Sequence, residues 1–156
     1  MGQNASVDFG FDQSKTGEKD NAPFAHDTLV ATKITFAAPV AGAANVTTVP
    51  ITVKDGHGNA VASPTPFLLW LSDAADGEGL TATTASGAVA AAASGGAVLG
   101  TLTSKMCLLC QTKDDGTFTL SITDSAKTGF YIAAAPLGFG GLTYVSGQLV
   151  TGSYGS

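Results

Sequence analysis

Ile51-Thr-Val-Lys-Asp-Gly-His-Gly-Asn-Ala-Val61 is a strand running into a reversal. Ile51 and Val53 fall on one face and Thr52 and Lys54 on the other, the period of two that a half-buried strand requires. Asp55 to Asn59 supply the turn residues that fold the chain back. The same grammar returns at Lys113-Asp-Asp-Gly-Thr-Phe-Thr-Leu-Ser-Ile-Thr123, where Phe118, Leu120 and Ile122 alternate with Thr117, Thr119, Ser121 and Thr123. Two strands of this kind, each tied to an Asp-Gly turn, predict an all-β, antiparallel β-sandwich.

Working outward, a strand is expected from Thr28 to Phe36 with Val30, Ile34 and Phe36 inward, then a loop of small residues over 37–45, then a strand from Val46 to Lys54. Pro50 inside the last of these implies an edge or a bulge, because proline has no N–H for the ladder. Pro66-Phe-Leu-Leu-Trp-Leu-Ser72 is apolar on both faces, so it needs cover on both sides: one face meets another layer or another subunit. Residues 79–100 are Thr, Ala and Gly and read as a short strand plus loop. Leu102 to Thr112 resumes alternation with Met106, Leu108 and Cys110 on one face, and Gly129 to Ala135 and Leu142 to Val150 add two more strands. No stretch carries a sustained apolar stripe at helical spacing, so helix is expected to be scarce. The expected count is about seven or eight strands.

A chain of 156 residues with 44% hydrophobic content buries roughly two-thirds of its unfolded surface, enough for one core. Residues 1–27 differ from the rest: Asp8, Asp12, Lys15, Glu18, Lys19, Asp20 and Asp27 are interleaved with Gly, Asn and Ser, and only Phe9, Phe11 and Phe24 are large and apolar. They read as an extended N-terminal arm, held by a neighbouring chain or laid on its own domain. Residues 28–156 then form the sandwich with a Gly-rich C-terminal tail. All seven basic residues are Lys, none is Arg, and the net charge is -5. That balance lacks both the guanidinium forks and the basic surface that grip a polyanion, so no nucleic-acid partner is expected. The first residues have neither a basic start nor an apolar run, and Phe67 to Leu71 is far too short to span a bilayer. No membrane association is expected, and the chain is expected to be made in the cytoplasm.

Side chains that could carry chemistry are sparse. Cys107-Leu-Leu-Cys110 has the spacing of a redox pair or half a zinc site, but in a strand an odd separation sends the two thiols to opposite faces. Cys110 is expected in the core and Cys107 at a surface or interface. Asp73-Ala-Ala-Asp-Gly-Glu78 and Asp55-x-His57-x-Asn59 lack the ligand rhythm of a dedicated calcium loop and read as solvated turns. The two histidines, His26 and His57, sit in the arm and in a tight turn, with no Gly-x-Ser-x-Gly elbow nearby. Gly138-Phe-Gly-Gly141 lacks the lysine and following helix of a phosphate cradle. Neither an enzyme nor a metal or other cofactor is expected.

The order Val53-Lys-Asp-Gly-His-Gly-Asn-Ala-Val61, an apolar strand, Thr112-Lys-Asp-Asp-Gly-Thr-Phe-Thr-Leu120, then Asp124-Ser-Ala-Lys-Thr-Gly-Phe-Tyr-Ile-Ala-Ala134 resembles bacterial immunoglobulin-like domains of the invasin type. The resemblance covers about residues 46–135 and implies an immunoglobulin-like fold, with Tyr131 as the tyrosine whose hydroxyl pins the corner after Asp124. Phe67-Leu-Leu-Trp-Leu-Ser-Asp-Ala-Ala-Asp-Gly-Glu-Gly-Leu80 and the Thr/Ala text after it, with Thr128-Gly-Phe-Tyr-Ile-Ala-Ala134, resemble small virion structural proteins of tailed bacteriophages, among them auxiliary proteins of the capsid exterior. That second resemblance implies a decoration or cement protein of the virion, assembled in the host bacterial cytoplasm. Its partners would be the major capsid protein or other virion subunits and further copies of itself, with a trimer as the expected assembly. Candidate anchors are Phe9, Phe11 and Phe24 of the arm and one face of Phe67 to Leu71, for which Phe67, Leu69 and Trp70 are named, in an interface on the order of 1,600 Å². The alternative is an immunoglobulin-like adhesin or carbohydrate-binding module on a tail fibre or cell surface, which would gather Trp70, Tyr144 and Tyr154 in an exposed strip.

Overall fold

The alternation that begins at Ile51 extends upstream to Val46, and in the computed structural model this stretch is one long strand at the centre of a sheet. Residues 30–138 and 142–156 are described by the structure. The expected arm, the first two residues of the strand drawn from Thr28, and most of the 138–141 glycine loop lie outside them. The strands are β1 (Lys33–Phe36), β2 (Val40–Ala41), β3 (Val46–Lys54), β4 (Pro66–Ser72), β5 (Val89–Ala91), β6 (Ala97–Thr103), β7 (Cys107–Gln111), β8 (Thr117–Thr123), β9 (Tyr131–Pro136) and β10 (Tyr144–Val145), followed by a short 3-10 turn at Thr151–Ser153.

Every pairing is antiparallel. One five-stranded sheet runs β10-β9-β4-β7-β6, and the other runs β1-β3-β8-β5 with β2 also pairing β3. The protein is an all-β, two-sheet sandwich, as the two Asp-Gly strands predict. Ten strands are present among the described residues, where seven or eight were expected. The surplus comes from pieces two or three residues long, β2, β5 and β10, in which a period of two has no length to show itself. The expected strand from Leu142 to Val150 contracts to Tyr144–Val145 for the same reason.

The core is built by the predicted faces. Ile51, Val53, Phe118, Leu120 and Ile122 from one sheet meet Phe67, Leu69, Leu71, Leu108, Cys110 and Ile132 from the other, all buried. Phe67 and Phe118 stack edge to face across the gap, ring centres 5.3 Å apart at 83°, an arrangement worth about 1 kcal/mol beyond the area it buries.

The Asp-Gly turns close one end of the sandwich. Asp55 Oδ1 accepts the backbone N–H groups of His57 (2.8 Å) and Asn59 (3.0 Å), and Asp115 Oδ1 accepts the N–H of Thr117 at 2.9 Å, so each aspartate satisfies its own reversal. Gly116 sits at φ +79, and a side chain there would strike the Val61 backbone at 2.6 Å. The two loops therefore touch, and only glycine permits the approach.

Pro50 is neither at a sheet edge nor in a bulge. Val53 N–H donates to Gly116 C=O, so by the alternation of an antiparallel ladder Val49, Ile51 and Val53 turn their backbone groups to β8 and Pro50 turns away. On that side β1 has just ended, and Ala37 N–H still finds the Pro50 carbonyl at 2.9 Å. The proline occupies the gap between β1 and β2, where no partner asks for its N–H.

Two irregularities interrupt β6, between Val98 and Gly100 and between Thr101 and Thr103. The residues skipped are Leu99 and Leu102, which stand 51% and 63% exposed on this edge strand.

The C-terminal tail is part of the fold. Leu149 and Tyr154 are buried, Gly155 N–H donates to Val46 C=O, and Ala44 N–H donates to Ser156 O. Tyr154 Oη donates to the Thr128 carbonyl at 2.7 Å. The corner between β8 and β9 is thus pinned by Tyr154, not by Tyr131, which is only half-buried and whose hydroxyl makes no hydrogen bond to the described residues. Asp124 anchors the same corner: Oδ1 accepts Ser86 N–H (3.0 Å) and Ala126 N–H (3.3 Å), and Oδ2 accepts Thr128 N–H (2.8 Å). Burial alone would push the Asp124 carboxyl up, but the bonds from Thr128, Ser86 and Ala126 together outweigh it and hold it at about 2.

Candidate docking face

Strand β4 has two faces with different fates. Phe67 and Leu69 point inward and are 0% exposed. As interaction residues they are corrected: they are core, because the Phe67 side of the strand is the side that meets Phe118. Leu68 and Trp70 point outward and are half-buried. Of the expected anchors, Trp70 alone is on the outer face; Phe9, Phe11 and Phe24 lie outside the described residues.

The register assembles the rest of that face. Leu68 stands between Ala135 of β9 and Leu109 of β7, and Trp70 between Ala133 and Cys107. Leu109 and Cys107 are half-buried, so a continuous apolar strip crosses β9, β4 and β7. Periodicity places Leu68 and Leu109 on this face, but only the strand order brings them side by side.

The loop after β4 folds over one end of the strip. Trp70 Nε1 donates to the Gly77 carbonyl at 2.8 Å, which fixes the indole. Gly77, at φ +78, lies so flat on the sheet that a Cβ would come within 2.9 Å of Ala133 and Val145 side-chain carbons. The loop is held by its own polar groups. Asp73 accepts Thr81 Oγ1 (2.7 Å) and Ala82 N–H (2.8 Å), Ser72 Oγ donates to Glu78 O (3.0 Å), and Asp76 accepts Glu78 N–H (3.0 Å). The backbone bond from Ala82 and the hydroxyl of Thr81 hold the Asp73 carboxyl below the usual range. Asp73 and Asp76 are thus turn-builders. Among the described residues no group of three or more His, Cys, Asp or Glu side chains is gathered as a metal site.

Between loop and strip lies an open groove of about 410 Å³, lined by Leu68, Trp70, Leu80, Cys107, Thr143 and the Gly77-Glu78-Gly79 backbone. Among the described residues Glu78 is its one charged residue. Cys107 faces this groove while Cys110 is in the core, the opposite-face placement that the spacing predicts; both thiols are free. Burial raises both thiols, Cys110 to about 12 with Cys107 adding to the shift. Trp70, Tyr144 and Tyr154 are not brought together: Tyr144 packs on the core and Tyr154 is buried at the far corner.

Among the described residues no helix is long and apolar enough to cross a membrane. Comparison with protein-family models, with characterised proteins and with solved structures finds no match to this chain.

Proposed function

We propose that this protein is a structural component of a bacteriophage virion, an immunoglobulin-like sandwich that docks on the assembled capsid exterior and stabilises it. The observation that carries the reading is the apolar groove on the outer face of β4, Leu68-Trp70-Leu80-Cys107, continued by Leu109. A face of this kind suits burial against a second protein, with Trp70 as its central aromatic anchor. The text from Phe67 to Leu80, which resembles phage virion proteins, is the same segment that builds the face and its loop. The partners are the major capsid protein or another virion subunit, and further copies of the chain, a trimer by the same resemblance. Its location is the virion, after synthesis in the bacterial cytoplasm.

Strand order supports the immunoglobulin-like part. The sheet β1-β3-β8-β5 has the A-B-E-D order of such domains, and β10-β9-β4 has the order G-F-C. Two features depart from the antibody pattern: Trp70 stands outside the core, and the β6–β7 hairpin widens the second sheet beside β4.

The test is occupancy on purified heads that lack the protein. Wild type is expected to saturate them, and Leu109→Lys, which puts a charge on the outer face, is expected to lose binding while melting as wild type does. Equal binding by the two, or none by wild type, overturns the reading.

A further inference from the structure

The strands of the β10-β9-β4-β7-β6 sheet contain no Asp, Glu or Lys. Its outer face is therefore uncharged across its whole width, and the edge strand β6 continues the apolar strip instead of ending it. Val98 pairs with Cys110 and packs on the core, and Thr101 pairs with Leu108, which is also core. The two irregularities set Leu99 with Gly100 against Leu109, and Leu102 with Thr103 against Cys107, two residues facing one. In an unbroken strand Leu99 and Leu102 would point to opposite faces, because an odd separation changes sides. The extra residue at the first irregularity shifts the phase, so both leucines point outward, beside Leu109 and Cys107.

Two apolar rows result. Trp70, Cys107 and Leu102 form one, and Leu68, Leu109 and Leu99 form the other. Leu99 and Leu102, 51% and 63% exposed, are the most open of the six. Apolar area gathered on one face in this way marks a protein-interaction site.

Carboxylates frame the face at both ends. The loop after β4 carries Asp73, Asp76 and Glu78 and no lysine. At the opposite end the β7–β8 turn carries Lys113, Asp114 and Asp115, with Lys113 Nζ already paired to Asp115 at 3.2 Å. Lys105, in the β6–β7 turn, is committed to the Ala85 and Ser86 carbonyls, 3.1 Å from each. A second copy stacked on this face, in either direction, would set one acidic end against another. A partner with an apolar centre and a basic border meets no such repulsion and gains attraction at both ends.

We propose that the partner of this face is a protein surface whose apolar centre is bordered by lysine or arginine, with Leu99 and Leu102 as its anchors at the β6 edge. That the surface belongs to a virion shell rests on the capsid reading; its chemistry rests on the face alone.

Trp70, the only tryptophan, stands within the face and reports its occupation by fluorescence. The probes are two short synthetic peptides, leucine alternating with lysine in one and with glutamate in the other, titrated against the full chain. The lysine peptide is expected to shift the Trp70 emission and to bind about tenfold more tightly than the glutamate peptide. Leu99→Ser with Leu102→Ser should weaken the lysine peptide about tenfold. Asp76→Asn with Glu78→Gln, which keeps both side-chain shapes, should reduce the preference between the peptides to about threefold. The proposal is overturned by an emission that the lysine peptide leaves unchanged, by equal affinity for the two peptides, or by undiminished affinity in the leucine variant. An undiminished preference in the amide variant overturns it as well, since the preference would then reflect the charge of the whole chain. Heads that lack the protein separate the two readings: wild type that takes the lysine peptide but not the heads overturns the capsid reading and leaves the partner chemistry standing.

Discussion

Tyr154 donates its hydroxyl to the carbonyl of Thr128, 26 positions earlier, across 2.7 Å. The bond joins the tail to the corner at which the chain leaves one sheet for the other, so a strand crossing and a terminus stabilise each other. Tyr154 is 4% exposed. Burial, reinforced by the Asp124 charge, pushes its phenol up, and the hydroxyl stays a donor throughout the ordinary pH range.

Tyr154→Phe should keep the ring packing and lose only this bond, leaving the Thr128 carbonyl with the Phe130 N–H alone. The expected cost is about 1–2 kcal/mol, read as a lower urea midpoint with an unchanged slope. No change in midpoint would show that water replaces the hydroxyl and that the ring alone holds the corner.

Asp124 makes the same corner sensitive to acid. Its carboxyl is lower in the folded chain, at about 2, than its ordinary 3.8, so the stability it supplies is complete above about pH 4 and is lost as the pH falls through about 2. Asp124→Asn should cost roughly 2–3 kcal/mol at neutral pH and flatten the fall in stability between about pH 4 and about pH 2. Denaturation curves at a series of pH values check both parts.

Thr47 is 0% exposed, and its Oγ1 is a buried oxygen with no hydrogen-bond partner among the described residues. Thr47→Val replaces that hydroxyl with a methyl of the same shape and should stabilise the fold by about 1 kcal/mol. A lower melting temperature in calorimetry would contradict it.

Gly77→Ala should lift the loop from the outer face, because the new methyl has no room over Ala133 and Val145. A loss of about 1–3 kcal/mol is expected, with a red shift in the emission of Trp70, the only tryptophan, as its indole loses the Gly77 carbonyl. Unchanged emission would mean that the indole is fixed by something other than this loop.

Sequence reading reached the long strands because alternation over seven or more residues leaves little choice of face, as at Ile51–Val53 and Phe118–Ile122. It failed on Phe67 and Leu69. A strand apolar on both faces gives no sign of which side meets the core, and the deciding contact, with Phe118, is set by how the sheets stack. It also misassigned the corner tyrosine, since Tyr131 is close in sequence whereas Tyr154 arrives only after the tail folds back. Leu80 and Thr143 carried no signal, because they line the groove through loops whose path depends on Gly77 and Trp70. Pro50 was legible as a missing donor but not as a residue between two short strands on one flank of β3.

Leu99 and Leu102, the two kinked residues of β6, bear on how molecules of this shape can multiply. A straight, unbroken margin invites another molecule to zip on strand by strand, and then a third, into a ribbon without limit. Two breaks within seven residues deny that template, even though the side chains there are oily enough to favour contact. Copies are left free to meet broadside, where geometry can close an assembly at a finite size.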